Sequence, residues 1–415
     1  MTKRTDKLFD VGELPELGVL PERMHAWTLR TENLGEPINA FREEIVPVPE
    51  PKDNEVIVAN LCASVNYNGV WAALGKPKNV VAGNGSYNDK KEDFHICGSE
   101  ACGIVYAVGK NVTTLKVGDR VNIGGGQFDV DCPVVKSGAD PVNSPTYRVW
   151  GYEANWGGYA QFSKAMDMQC HKVPDSMSDE EASAFASAGV VAYRMLTFWE
   201  GNRVKEGDVV LVYGGSGGIG GISIVIAKEL GAVPVAVVSS DERGELCKKL
   251  GAKGYVNRKL FSHWGTPPDY TDPDAQKKWL REATKFRMAV YRAAGKKQSP
   301  AIVVEHPGAD TLPTSLLVCA NNGMVVLCGA TSSYWAGIDL RYLWIGQKRI
   351  QGCHSGSKED YLRYLDFLTE RGIKQPIGRV YSWAELAEAH QAAYENRAPY
   401  GKCVIKICSR RKESR

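Results

Sequence analysis

The run Gly214-Gly215-Ser216-Gly217-Gly218-Ile219-Gly220 restricts what this chain can fold into more than any other stretch of it. It lies between a short apolar run, VVLVYGG (Val209 to Gly215), and GISIVIAKELGA, whose apolar residues recur at helical spacing. A strand that turns through glycines into a helix presents backbone N–H groups at the helix N-terminus, where an anion is favoured. Gly214, Gly217 and Gly220 form a GxxGxxG, which permits a tight turn and close approach of the backbone to a pyrophosphate. The spacing alone is common, and its surroundings sharpen it. The same rhythm continues through VPVAVVSS (Val233 to Ser240), ERGELCKKLGA, AIVVEH (Ala301 to His306), MVVLCG (Met324 to Gly329) and RIQGCH (Arg349 to His354). Parallel strands joined by helices predict an α/β domain with a doubly wound sheet covered on both faces. The loop is therefore expected to hold a dinucleotide through Gly214, Ser216, Gly217, Gly218, Ile219 and Gly220.

The end of the second strand selects the coenzyme. An NAD site usually carries an acidic residue about 20 positions past the loop, to hold the ribose hydroxyls. Ser239 and Ser240 stand there instead, with Arg243 just beyond. Hydroxyls and a guanidinium suit a 2′-phosphate, so NADPH is expected over NADH. Asp241 would repel a phosphate if it pointed inward; the plainer reading is that it caps a helix starting at Glu242. His306 ends a parallel strand on the cofactor side, where a coenzyme contact and a structural turn are both open.

A chain of 415 residues is too long for one ordinary core, which predicts two domains. Residues 1–188 read as an irregular β-rich domain: EVIVANLCASVN (Glu55 to Asn66) has the pattern of a buried strand, and GIVYAVG and GDRVNIGGG follow with Gly and Asp turns. Residues 189–354 form the nucleotide domain. Its 258–300 stretch is longer than a βα connection needs and contains a helix pair or one long helix, in DPDAQKKWLREATKFRMAVYRAAGKK. GKCVIKIC reads as a strand, so residues 355–415 are expected to return and complete the first domain. The 258–300 insertion and the sheet edge are plausible interface, and a homodimer or homotetramer is expected.

Several partners are excluded. A net charge of +3 without a basic, aromatic-interleaved run gives no case for nucleic acid. MTKRTDKLF has no apolar segment behind its basic residues, and no apolar stretch reaches the ~18 to 20 residues of a membrane span. The eleven cysteines are scattered, with no Cys-x-x-Cys, and read as reduced thiols of a cytoplasmic protein.

The layout resembles the medium-chain dehydrogenase/reductase superfamily, which implies a GroES-like catalytic domain beside a Rossmann domain. Many alcohol dehydrogenases of that superfamily bind catalytic zinc through a Cys, a His-Glu pair and another Cys. Here Gly98-Ser99-Glu100 stands where those show Gly-His-Glu, and SVNYNGVW lacks the first cysteine. The four-cysteine zinc lobe is also missing, and Cys97 and Cys102 read as core thiols. Zinc needs three or four ligands, so no metal is expected.

Within the superfamily, SVNYNGVW, VWGYEANWGG, AVVSS, FSHW with DPDAQKKW, VVEHPG and RYLWIGQKRIQGCH resemble the crotonyl-CoA carboxylase/reductases across residues 20 to 405. The resemblance thins over Lys76 to Phe94 and over 127–147. It implies NADPH-dependent reduction of a short-chain 2-enoyl-CoA, of the crotonyl or acryloyl type, with CO2 captured by the enolate. It further implies a CO2 pocket of Asn68, Tyr152, Glu153 and His354, with tyrosine standing where the family usually has phenylalanine. Asn68 would donate to a CO2 oxygen. Glu153 would hold a water or orient its neighbours, and His354 would donate through water or protonate the enolate. Arg341 and Tyr342 would meet the CoA or a subunit interface. Each residue also has a plain reading: a turn Asn, a barrel-edge Glu, a hydrogen-bonded structural His, an Arg paired with a carboxylate. The other readings are a 2-enoyl-CoA reductase without carboxylation, a quinone or enone reductase, and a non-enzymatic NADPH-binding protein.

Overall fold

A computed structural model describes residues 3–83 and 91–410. The chain divides into two compact units, Met1–Val190 with Ser355–Arg415, and Val191–His354. Among the described residues, no helix is long and apolar enough to cross a membrane.

The first unit is organised by the strand Glu55–Val65, buried along all but its last residue. Its run of β-branched and small residues suits a strand covered on both faces. One edge pairs antiparallel with Glu100–Val108. The other edge is shared in succession: Phe162–Met166 takes Glu55 to Ala59, and the C-terminal strand Lys402–Lys406 takes Cys62 to Val65. The chain's last strand thereby reaches the point where Glu55–Val65 gives way to the helix Tyr67–Leu74.

The second unit holds a six-stranded parallel sheet. In chain order its strands are Val209–Tyr213, Val233–Val238, Gly254–Asn257, Ile302–Glu305, Met324–Leu327 and Arg349–Gly352, and across the sheet they run third, second, first, fourth, fifth, sixth. The order reverses between Val209–Tyr213 and Ile302–Glu305, which opens a crevice at their carboxyl ends, where nucleotides bind in such sheets. The 258–300 stretch is no appendage. It contains one α-helix, Pro273–Ala294, capped by Asp272 Oδ1 on the Ala275 N–H at 2.9 Å and ended by Gly295 at φ +71°. Trp279, Ala283, Phe286, Val290 and Ala294 line its buried stripe, so the helix is the crossover between the third and fourth strands.

Candidate active site

The phosphate loop leaves Tyr213 and enters the helix Gly218–Glu229. Gly214 has φ +58°, and a Cβ there would lie 2.5 Å from His306 Nε2. A Cβ on Gly220 would lie 2.2 Å from the Gly214 carbonyl oxygen, so the turn closes only with glycine at both places. His306 Nε2 donates to the Tyr213 carbonyl at 3.0 Å. That bond ties together the two strands flanking the crevice, which gives His306 a structural role beside the loop.

Of the residues read for the 2′-phosphate, Arg243 reaches the phosphate loop. Arg243 Nη1 donates to Ser216 Oγ at 3.1 Å, and the Arg243 N–H donates to Ser240 Oγ at 3.4 Å. Ser240 is the N-cap of the helix Asp241–Lys249, which corrects the assignment of that role to Asp241. Asp241 is the first helical residue, and its carboxylate accepts from Asn257 Nδ2 at 3.3 Å. Serine caps because its short hydroxyl reaches back to the third N–H while its backbone stays extended. Ser239 is the half-buried residue before it. An arginine, two hydroxyls and a helix N-terminus form a donor set that fits a dinucleotide with a 2′-phosphate.

Glu305 ends the strand beside this loop and was not singled out by the sequence. It is fully buried, and it accepts from Thr311 Oγ1 and Ser315 Oγ at 2.6 Å each and from the Gly308 N–H at 3.1 Å. It thus pins the turn that follows His306. Burial pushes its carboxyl up to about 7.

In the other unit, Asn68 lies in the first turn of Tyr67–Leu74, not in a strand-end turn. Its Nδ2 donates to Ser99 Oγ at 2.9 Å. Ser99 is nearly fully buried, and it is the serine that the sequence reading set against a ligand histidine, so a side-chain amide rests on that position here. Tyr152 and Glu153 sit in a turn stitched to the same segment. Gly151, at φ +64°, packs so closely that a Cβ would lie 2.2 Å from the Gly98 carbonyl oxygen and 2.9 Å from the Ser99 nitrogen. Glu153 accepts from the Val149 N–H at 3.0 Å through Oε2 and pairs with Lys78 through Oε1. Its carboxylate orients the turn that carries Tyr152, whose hydroxyl points toward the Lys76 carbonyl at 3.5 Å. The sequence left Lys78 aside. It falls in the Lys76 to Phe94 stretch, of which residues 84–90 lie outside the described residues.

The structure therefore sets Asn68 on Ser99, and packs Gly151, the residue before Tyr152, against Gly98 and Ser99 of the same unit. His354 belongs to the second unit, exposed and two residues past the strand Arg349–Gly352. Arg341 and Tyr342 line a cavity of about 360 Å³ with Tyr270, Lys277 and Trp279. The Arg341 guanidinium is engaged by Asp339, with Nε to Oδ1 at 3.0 Å and Nη2 to Oδ2 at 2.6 Å. The carboxylate partner foreseen as the plain reading is the one present.

No group of three His, Cys, Asp or Glu residues that could hold a metal occurs among the described residues. Cys97 and Cys102 are buried, and burial raises both thiols, Cys102 to about 12.

Residues 52–175 match the alcohol dehydrogenase GroES-like domain, and residues 218–370 match the zinc-binding dehydrogenase domain. With the sheet order and the glycine loop, the two modules define a medium-chain dehydrogenase/reductase. The chain is 39% identical to the crotonyl-CoA carboxylase/reductase of Cereibacter sphaeroides, over 96% of this chain and 91% of that one. It is 33% identical to the crotonyl-CoA reductase of Streptomyces avermitilis, over 87% and 80%. A crotonyl-CoA carboxylase/reductase solved with NADP superposes with a TM-score of 0.91 at 44% identity, covering 96% of this chain and 98% of that one. A 2-octenoyl-CoA carboxylase reductase solved with NADP and 2-octenoyl-CoA gives 0.84 at 31%, covering 93% and 88%. The chain belongs to the crotonyl-CoA carboxylase/reductase family.

Proposed function

We propose that this chain reduces a short-chain 2-enoyl-CoA with NADPH and carboxylates the resulting enolate with CO2. Bound NADPH supplies a hydride to the β-carbon of the enoyl thioester. The negative charge then gathers on the α-carbon and the thioester oxygen. That carbon forms its new bond either to the carbon of CO2, giving a carboxylate, or to a proton, giving the saturated acyl-CoA. CO2 binds weakly, so directed hydrogen bonds and exclusion of water must favour it over the proton. Asn68 has an amide N–H for a CO2 oxygen. Glu153 holds the turn that places Tyr152 over the same segment. His354 donates through water, or to the enolate when CO2 is absent.

The contact between Asn68 and Ser99 carries this reading. At a position where zinc-binding relatives present a metal ligand, this chain presents a braced amide, which suits a small neutral electrophile. Product mass with crotonyl-CoA tests it. Ethylmalonyl-CoA is expected with bicarbonate and carbonic anhydrase, and butyryl-CoA without them. Saturated product alone at saturating CO2 would leave reduction without carboxylation, a reading that the Tyr152 phenol favours by adding a polar group where the family usually has phenylalanine.

A homodimer or homotetramer fits the exposed edge strand Arg349–Gly352 and the exposed Trp335, Trp344 and Ile345. Light scattering should give at least twice the 45.4 kDa of one chain. The single-chain mass at micromolar concentration would overturn it.

A further inference from the structure

Asn66 occupies the N-cap of the helix Tyr67–Leu74, with extended backbone, yet makes no capping bond. Asparagine at that position ordinarily accepts from a backbone N–H two or three residues on. Its side chain is held by other partners instead. Lys402 Nζ donates to Asn66 Oδ1 at 2.5 Å, and Asn66 Nδ2 donates to Glu100 Oε2 at 3.1 Å. An ammonium only donates and a carboxylate only accepts, so the two together fix which end of the amide is oxygen. Asn66 can then only donate to Ser99 Oγ, 3.4 Å from its Nδ2. Ser99 Oγ in turn lies 2.9 Å from Asn68 Nδ2 and 3.3 Å from Asn68 Oδ1. On the shorter leg Asn68 Nδ2 donates to Ser99 Oγ, and that amide nitrogen carries a second hydrogen.

The base of this chain is buried and paired. Lys402 and Glu100 pair at 3.0 Å with their side chains 3% and 0% exposed, and the second Glu100 oxygen accepts from the Ser187 N–H at 2.8 Å. A buried ion pair adds little net stability, but losing one partner would leave an uncompensated charge.

We infer that Ser99 is a positioning residue for carboxylation: anchored by Asn66, Glu100 and Lys402, its hydroxyl turns the Asn68 amide so that an N–H faces CO2. The inference rests on the reading of Asn68 as the CO2 contact. It assigns a role to the residue that replaces the zinc-ligand histidine, and to a lysine more than 300 positions from Asn68.

Ser99→Ala removes the acceptor and leaves the amide to rotate. The full-length enzyme is assayed with crotonyl-CoA, NADPH and varied CO2, reading the ratio of carboxylated to saturated product and the apparent KM for CO2. Both should shift against carboxylation by roughly three- to tenfold, the worth of one hydrogen bond. Ser99→Thr keeps the hydroxyl and should restore both. Adding Ser99→Ala to Asn68→Leu should change neither further, because no amide is left to orient. If Ser99→Ala keeps the wild-type ratio and KM while Asn68→Leu shifts them, the positioning role is overturned and Asn68 stands as the contact. Additive losses in the double variant would also overturn it. A wild type that gives no carboxylated product removes both the contact and its positioning.

Discussion

The guanidinium of Arg243 donates to the hydroxyl of Ser216, so the end of the second Rossmann strand is tied to the phosphate loop. The bond places a positive charge and a hydroxyl side by side at the position where an NAD site would carry a carboxylate.

Arg243→Ala should therefore raise the KM for NADPH by about tenfold or more, the scale of a charge-assisted hydrogen bond, and change the KM for NADH much less. Steady-state kinetics with both coenzymes checks it. A wild type with equal or better kcat/KM for NADH would sink the assignment.

Ser99 in the place of a ligand histidine implies turnover without zinc. Activity should survive prolonged dialysis against a chelator, and elemental analysis should find well under one zinc per chain. One tightly held zinc with chelator-sensitive turnover would contradict this.

Both products arise from one enolate, so changes around it should alter partition more than hydride transfer. Asn68→Leu and His354→Asn should each move the product ratio several-fold toward reduction, and His354→Asn should also slow protonation. Tyr152→Phe should move the ratio toward carboxylation by taking a hydroxyl from the turn. The readouts are product mass and NADPH consumption in the same reaction.

Glu305 links stability to pH. Burial raises its carboxyl from about 4.5 in the unfolded chain to about 7 in the fold. The folded state then holds a proton that the unfolded chain releases. Its contribution is full below about pH 4.5 and is lost as pH rises through about 7. Relative to wild type, Glu305→Gln should gain stability between pH 5 and pH 8, on the order of 2 to 3 kcal/mol. Denaturant melts at both pH values measure the difference, and a gap that stays constant with pH would count against the buried proton.

The sequence by itself determined the nucleotide unit and its class. A glycine-rich turn between an apolar run and an amphipathic one is a local pattern, set by residues within about 20 positions of each other. The repeated strand–helix rhythm then leaves few ways to arrange the sheet. Gly214, Gly220, Ser216 and Arg243 could be read for the same reason. At the helix cap the choice between neighbours went astray, and Ser240 took the role given to Asp241. The support beneath Asn68 could not be read at all. Asn66 and Lys402 lie 336 positions apart, and nothing in SVNYN or GKCVIKIC names the other as its partner. They meet because the C-terminal strand pairs antiparallel with Cys62–Val65, setting Cys403 opposite Val65. That register carries a lysine into an interior where its charge needs a carboxylate, and Glu100 supplies it from the strand on the opposite edge of Glu55–Val65. A pairing of that kind belongs to the register of a sheet, so only the tertiary structure could decide it.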